Sequence, residues 1–330
     1  MRRTLSTAGC FTVFGLALAA GAAMAQSTST GSGQAYPVKP VRIIVPTSPG
    51  GGNDFVARAV GLKLGERLGQ QFIVDNRPGA GGSIGTGLVA KAAPDGYTLL
   101  LGFVGQLAMY PHVEKAEYDP LRDFVGVSLL ASSYHVLAVH PSLPVRSVKQ
   151  LIALAKARPG ELNYASGNIW TPVHLVPELF KSVTGINVVA IHYKGTGPAA
   201  VAVLAGDTHM MFGSVTSVMP HVRAKRLVAL AVTSPARSPI APEVPTLVEL
   251  GLRGVEAPSW YAIVAPAATP RVVTGKLHGE LAAITTLPDY RVQLERQAME
   301  PTTSTPEQFA AFLKAEYDKW GKVIKSLKLQ

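Results

Sequence analysis

Residues 41–58, VRIIVPTSPGGGNDFVAR, constrain the fold more than any other stretch of this chain. Val41, Ile43, Ile44 and Val45 are β-branched and suit a strand buried in a parallel sheet. Pro46 and Pro49 end that strand, Gly50, Gly51 and Gly52 follow, and the Asn53–Asp54 pair opens a helix. A strand, a glycine turn and a helix start leave backbone N–H groups unpaired beside the positive end of the helix dipole, which suits an anion. No Lys-Ser/Thr follows the glycines, so this is not a Walker-A phosphate loop, and a carboxylate is the better match. Asp54 can either meet a ligand amine or hydroxyl or cap its own helix.

The first 25 residues have the layout of a secretory signal peptide. A basic head, Arg2-Arg3, precedes an apolar run that closes on Ala23-Met24-Ala25. That run is too short to span a bilayer, which takes about 20 apolar residues. Residues 26–35 read as a flexible polar leader. Cleavage after Ala25 would remove Cys10, the single cysteine, so no disulfide can support the exported chain. The net charge of +10 is spread along the sequence and not gathered in one segment, which argues against nucleic acid as a partner.

From Tyr36 onward strands and helices alternate, with strands expected over 42–45, 71–75 and 98–102 and helices over 55–68 and 84–93. This alternation indicates parallel pairing with crossover helices. A long apolar run, 125–139, is broken at 132–135 and can carry the chain from one lobe to another. A second series follows: a helix over 147–158, strands at 162–165, 188–193, 209–212 and 227–233, and helices at 172–183 and 198–205. Pro198 is expected at the first helical position. Helices over 271–285, 288–299 and 306–325 close the chain. Two such α/β series describe a two-lobed fold with a ligand cleft between the lobes, and in open α/β sheets ligands sit beyond the carboxyl ends of the strands.

Three further loops lie at such strand ends. Residues 164–172 (YASGNIWTP) offer Ser166, Gly167 and Thr171 as donors, place His174 and Glu178 on the following helix, and carry Trp170, which can stack on a ligand or plug the loop. Residues 193–198 (YKGTGP) offer Thr196 and Gly197. Residues 101–106 (LGFVGQ) offer Phe103 and Gln106. Other matches lack their context. Ser83 reads literally as G-x-S-x-G, yet 77–80 separate it from the preceding strand, so it is no nucleophile elbow. Residues 85–90 resemble a dinucleotide fingerprint without a strand leading into it. The eight histidines show no metal-ligand spacing, so neither a metal nor a cofactor is expected.

The strings YPVKPVRIIVPTSPGGGNDFVAR, VDNRPGAGGSIG, KAAPDGYTLLLG, HLVPELFKSVTG, VVAIHYKGTGPA and WYAIVAPAATP closely resemble the Bug-type receptors, the extracytoplasmic solute-binding proteins of tripartite tricarboxylate transporters. The resemblance covers essentially the whole exported chain. It implies a Venus-flytrap fold of the periplasmic-binding type, with lobe 1 over 36–134 and 253–330 and lobe 2 over 135–252. It also implies a periplasmic, monomeric receptor, not an enzyme, whose partners are a small carboxylate and the permease subunits of the transporter. By position it points to Gly51, Gly52, Asn53 and Asp54 in the first loop and to Ser166, Gly167, Thr171, His174, Thr196 and Gly197 in lobe 2. The sequence departs from the family pattern in three places. TSPGGGND replaces a common Phe-Pro and a Ser or Thr before the Asp, so Ser48 and Asn53 alter the local donors. Ile169-Trp170 replaces small or polar residues, which hints at an aromatic or bulky ligand. His209 stands where Asp is common. A sensor handing its closed form to a signalling protein, or a secreted hydrolase, would be the alternatives.

Overall fold

The computed structural model describes residues 36–167, 171–193 and 196–327. The expected signal peptide and leader lie outside them. The first α/β series runs β1 (Val41–Val45), α1 (Gly52–Leu68), β2 (Phe72–Asn76), α2 (Ser83–Ala90), β3 (Thr98–Phe103), β4 (Phe124–Ser133) and β5 (His135–Val139). It continues with α3 (Val148–Ala157), β6 (Asn163–Ser166), α4 (Pro172–Thr184), β7 (Val189–His192), α5 (Thr196–Ala205), β8 (Met210–Ser214), α6 (Val215–Arg223) and β9 (Val228–Val232). The chain closes with β10 (Ser259–Pro266), α7 (Arg271–Thr286), α8 (Pro288–Arg296), β11 (Met299–Pro301) and α9 (Pro306–Leu327).

Two sheets result. One has the order β11-β4-β10-β3-β1-β2 and the other β7-β6-β8-β5-β9. β1 is parallel to β2 and β3, and β6 is parallel to β7 and β8, as strand–helix alternation predicts. The remaining pairs correct the expectation of parallel pairing: β10 is antiparallel to β3 and β4, β11 to β4, and β5 to both β8 and β9. The reason is the way the chain changes sheets. β4 ends in the first sheet and β5 begins in the second, with Tyr134 alone between them and no helix to restore direction. The return passes through residues 233–258 into β10.

β10 is an apolar strand without a preceding helix, so the alternating pattern does not announce it. α6 was also not expected, since Pro220 lies inside it; Ser214 caps its start by accepting from the Ser217 amide. α5 begins at Thr196, which places Pro198 third in the helix and not first, still within the turn whose N–H groups have no intrahelical acceptor. α8 stops at Arg296, three residues short of expectation, because Ala298 takes a positive φ of 49° and the chain enters β11. α3 keeps its expected start, with Ser147 accepting from the Gln150 amide.

α9 packs on the first sheet through a buried polar knot. Glu316 accepts from the indoles of Trp260 (3.2 Å) and Trp320 (3.3 Å) and pairs with Lys319 at 2.6 Å. Phe309 and Phe312 meet the Trp260 ring edge-on. Both tryptophans are fully buried, so removing the acceptor strands two indole N–H groups at about 1–3 kcal/mol each. Glu316→Ala is therefore expected to destabilise the fold by about 3 kcal/mol in urea denaturation, and an unchanged midpoint would contradict this account of the α9 anchor.

Candidate functional site

The glycine turn before α1 is the origin of the site. Gly51 is the N-cap residue of α1 in extended conformation, with no side chain to cap the helix. Phe55 donates to the Gly51 carbonyl at 2.9 Å, which starts the helical ladder. No acceptor among the described residues takes the N–H groups of Gly51, Gly52 or Asn53. They stand at the positive end of a 17-residue helix, whose macrodipole amounts to roughly half an elementary charge there.

The turn is braced from behind. Asp54 is buried; its Oδ2 accepts from the Gly50 amide and from Arg58 Nε, both at 3.0 Å, and Arg58 Nη2 lies 3.0 Å from its other oxygen. Arg58 also donates to Asn76 Oδ1 (3.2 Å), and Asn76 Nδ2 donates to the Thr47 carbonyl (3.1 Å). Burial pushes the Asp54 carboxyl up, but hydrogen bonds from Arg58, the Gly50 amide and Asn76 outweigh it and hold the group below the ordinary aspartate value. Asp54 thus serves its own loop; it does not line the cleft described next. Asn53 Nδ2 donates to Thr47 Oγ1 at 3.3 Å on the cleft side.

The turn opens into a cavity of about 550 Å³ that residues of both sheets line. Thr47, Gly50–Gly52, Asn53 and Phe103 form one wall; Thr171–Val173, Gly197 and Ser214 face them. Ser133, His135 and Ser259–Tyr261 come from the strands that cross or border the change of sheet. Gly52 is required by close packing: a Cβ there would lie 2.7 Å from Tyr261 Oη and 2.9 Å from Met299 Cε. Burial raises the Tyr261 phenol and a hydrogen bond with Ser133 partly opposes it, so Tyr261 stays protonated as a donor. His135 is 5% exposed; burial drives its imidazole down to about 4, against the opposing hydrogen bond to the Ala257 backbone.

Several expected residues sit elsewhere. Ser48 is exposed and lines an adjoining cavity of about 700 Å³ that shares Thr47, Phe103 and Thr171 with the cleft. Gln106 lines neither cavity. A π-helical turn over Gly105–Met109 follows β3 and places Gln106 fully inward, where Nε2 donates to the Leu101 carbonyl at 3.3 Å. Ser166 and His174 are also buried behind the wall, joined by a 3.0 Å contact between Oγ and Nδ1. The pair lines neither cavity and braces its loop from within. Gly167 is pinned beside them, with Thr171 Oγ1 and Val173 3.2–3.3 Å from where its Cβ would be. Thr196 opens α5 beside Gly197. Trp170 lies outside the described residues, and His209 sits against Asn163 at 2.8 Å, away from the cleft. Thr47, Ser133, His135, Ser214, Tyr261, Gln297 and Met299 are cleft residues that the sequence reading did not single out. Among the described residues no cluster of ligating side chains suits a metal ion, and no helix is long and apolar enough to cross a membrane.

Residues 56–329 match the family described as the tripartite tricarboxylate transporter family receptor. The chain belongs to this receptor family. A protein encoded in the tcbD–tcbE intergenic region of Pseudomonas sp. strain P51 is 38% identical over 317 residues, 94% of each chain. BugT of Bordetella pertussis is 37% identical over 300 residues, 89% of this chain and 91% of BugT. Among solved structures, Rpa4515 of R. palustris with adipate superposes at a TM-score of 0.79 with 35% identity, covering 88% of this chain and 98% of Rpa4515. The periplasmic binding protein BugD follows at 0.77 with 30% identity, covering 89% and 99%. MatC from Rhodopseudomonas palustris with bound malate follows at 0.76 with 27% identity, covering 88% and 100%. The two sheets are accordingly those of a two-lobed periplasmic-binding-protein fold, and the chain is a Bug-type receptor.

His174 resembles His135 electrostatically: burial, with smaller contributions from His192 and Lys181, lowers it to about 4 against the pull of Glu178. Both folded-state values lie below the ordinary histidine value of about 6.5, so the unfolded chain binds more protons in between. Their stabilisation is complete above about pH 6.5 and is lost progressively as pH falls towards 4. The melting temperature should fall between pH 7 and pH 5, and His135→Gln should flatten that slope. A melting temperature constant across this window would contradict the neutral, buried state of the two rings.

Proposed function

We propose that this receptor is exported to the periplasm, captures a small carboxylate between its two lobes, and hands it to the permease subunits of a tripartite transporter. The observation that carries the reading is the set of unpartnered amides at Gly51, Gly52 and Asn53, opening into a cavity lined from both sheets. Helix N-termini hold carboxylates well because the donors are fixed and the dipole favours the anion. Low local dielectric strengthens such bonds when the site closes. The adipate and malate bound by Rpa4515 and MatC support a carboxylate here.

In this reading the first sheet belongs to lobe 1 (36–134 and 253–330) and the second to lobe 2 (135–252), the hinge being Tyr134 and the return segment. Closure presses Thr171, Gly197 and Ser214 towards the anion held by the first loop. Asn53, Ser133 and the Tyr261 hydroxyl add donors. The receptor acts as a monomer, without cofactor, and binds without turning its ligand over. Its signal peptide, residues 1–25, takes it across the inner membrane.

A thermal-shift series on the chain from Gln26 onward tests the reading. A carboxylate at about 100 times its dissociation constant adds about 2.7 kcal/mol, enough to raise the midpoint by several degrees. Neutral polyols are expected to add nothing. Gly52→Ala, whose methyl group displaces Tyr261, should weaken carboxylate binding at least about tenfold, a loss of about 1.4 kcal/mol. Wild-type affinity in that variant, or shifts by polyols alone, would overturn the carboxylate reading.

A further inference from the structure

The cleft does not end at the glycine turn. Thr47, Phe103 and Thr171 are shared with the adjoining cavity, so a ligand anchored at the Gly51–Asn53 amides has a path past these three side chains. The far walls of that second cavity are the Gly79–Gly82 turn, Tyr110 and Glu114. Gly81, at φ +62°, lets the Tyr110 ring close onto the turn: a Cβ there would stand 2.8 Å from a ring carbon. Tyr110 and the turn therefore form a fitted wall.

Glu114 is the one charged side chain among the described residues lining either cavity. No described cation forms an ion pair with it, in contrast to Asp54, Asp75, Glu117 and Asp123, each of which has a basic partner. Arg58 lines a separate cavity that also touches the glycine turn, and its guanidinium is committed to Asp54. The site is thus electrostatically two-ended. One end presents bare amides at a positive helix terminus; the other is lined by Glu114, which has no ion-pair partner among the described residues. A second anionic group on the ligand would face Glu114 with no described cation to compensate it, and an unfavourable charge placed against the wrong ligand is an effective way to discriminate. A ligand ammonium at that end would instead find its partner.

Resting on the carboxylate reading above, we propose that the preferred ligand is a zwitterion, a carboxylate with an amine at its far end, and that Glu114 is the residue that selects it over dicarboxylates. The adipate and malate of the related structures would then be the disfavoured class for this chain.

Calorimetric titration with two matched series tests this at pH 7: straight-chain ω-amino carboxylates and α,ω-dicarboxylates of four to eight carbons, with plain monocarboxylates as reference. At the best-fitting length the amino carboxylate should bind about fivefold or more tightly than the dicarboxylate, the scale of about 1 kcal/mol open to a partly solvated charge pair. Glu114 is exposed, so Glu114→Gln should fold normally and bring the ratio close to one. Equal or tighter binding of the dicarboxylates, or a ratio unchanged in Glu114→Gln, overturns the proposal. Failure of both series overturns it as well. Binding of the plain monocarboxylates would then leave the carboxylate reading standing, and their failure would remove both.

Discussion

The turn at Gly50–Gly52 has to meet two demands that conflict in most sequences. It must approach Tyr261 and Met299 more closely than any side chain at position 52 permits, and it must leave the start of α1 without a capping group. A serine or aspartate at the N-cap would stabilise the helix by about 1 kcal/mol and would also fill the donors that face the cleft. Glycine forgoes that cap. The loss is offset one turn later, where Asp54 accepts from the Gly50 amide and grips Arg58, fixing the turn from the side away from the cleft. The same loop is therefore rigid on one face and unsatisfied on the other, as a binding site requires.

The wall contributed by the second sheet and its loops is built on the same principle with different parts. The loop after β6 is held by the Ser166–His174 contact behind the cleft surface and by Gly167 packed against Thr171 and Val173, which themselves line the cleft. Burial keeps His174 neutral, so it accepts or donates locally without adding a charge. His135 sits at the change of sheet, also neutral, and carries the cleft floor between the two halves. Trp260 contributes to that floor and is fixed from beneath by Glu316 on α9, which ties the site to the last helix of the chain. Across the two connected cavities the only described charge is Glu114, so recognition rests on placed dipoles and one carboxylate.

What the sequence disclosed followed the range of the interactions involved. The strand, glycine turn and helix around residue 51 are legible because each depends on neighbours within a few positions. The start of α3 at Ser147 is legible for the same reason. Ser133, His135, Ser214 and Tyr261 escaped notice because they enter the cleft from strands far apart in sequence, and nothing local marks an ordinary Ser or Tyr in an apolar run. Gln106 illustrates the opposite error. Its place after a strand resembled a cleft position, but the π-helical turn over Gly105–Met109 places it in the core. Ser166 and His174 were likewise found in the right loop but on its inner side. β10 was hidden because it enters the sheet antiparallel from a long irregular return, outside the strand–helix alternation. The whole-chain resemblance supplied the two-lobed fold that these local signals only suggested.

The most direct test of the account is a nitrogen–proton correlation spectrum of labelled receptor during titration with a carboxylate that binds. If the anion rests on the α1 terminus, the Gly51, Gly52 and Asn53 amide protons move downfield together and saturate with the binding isotherm, while the Asp54-bound Gly50 amide moves little. Saturating binding that leaves those three amides in place would show that the carboxylate is held elsewhere, and the central claim would fail.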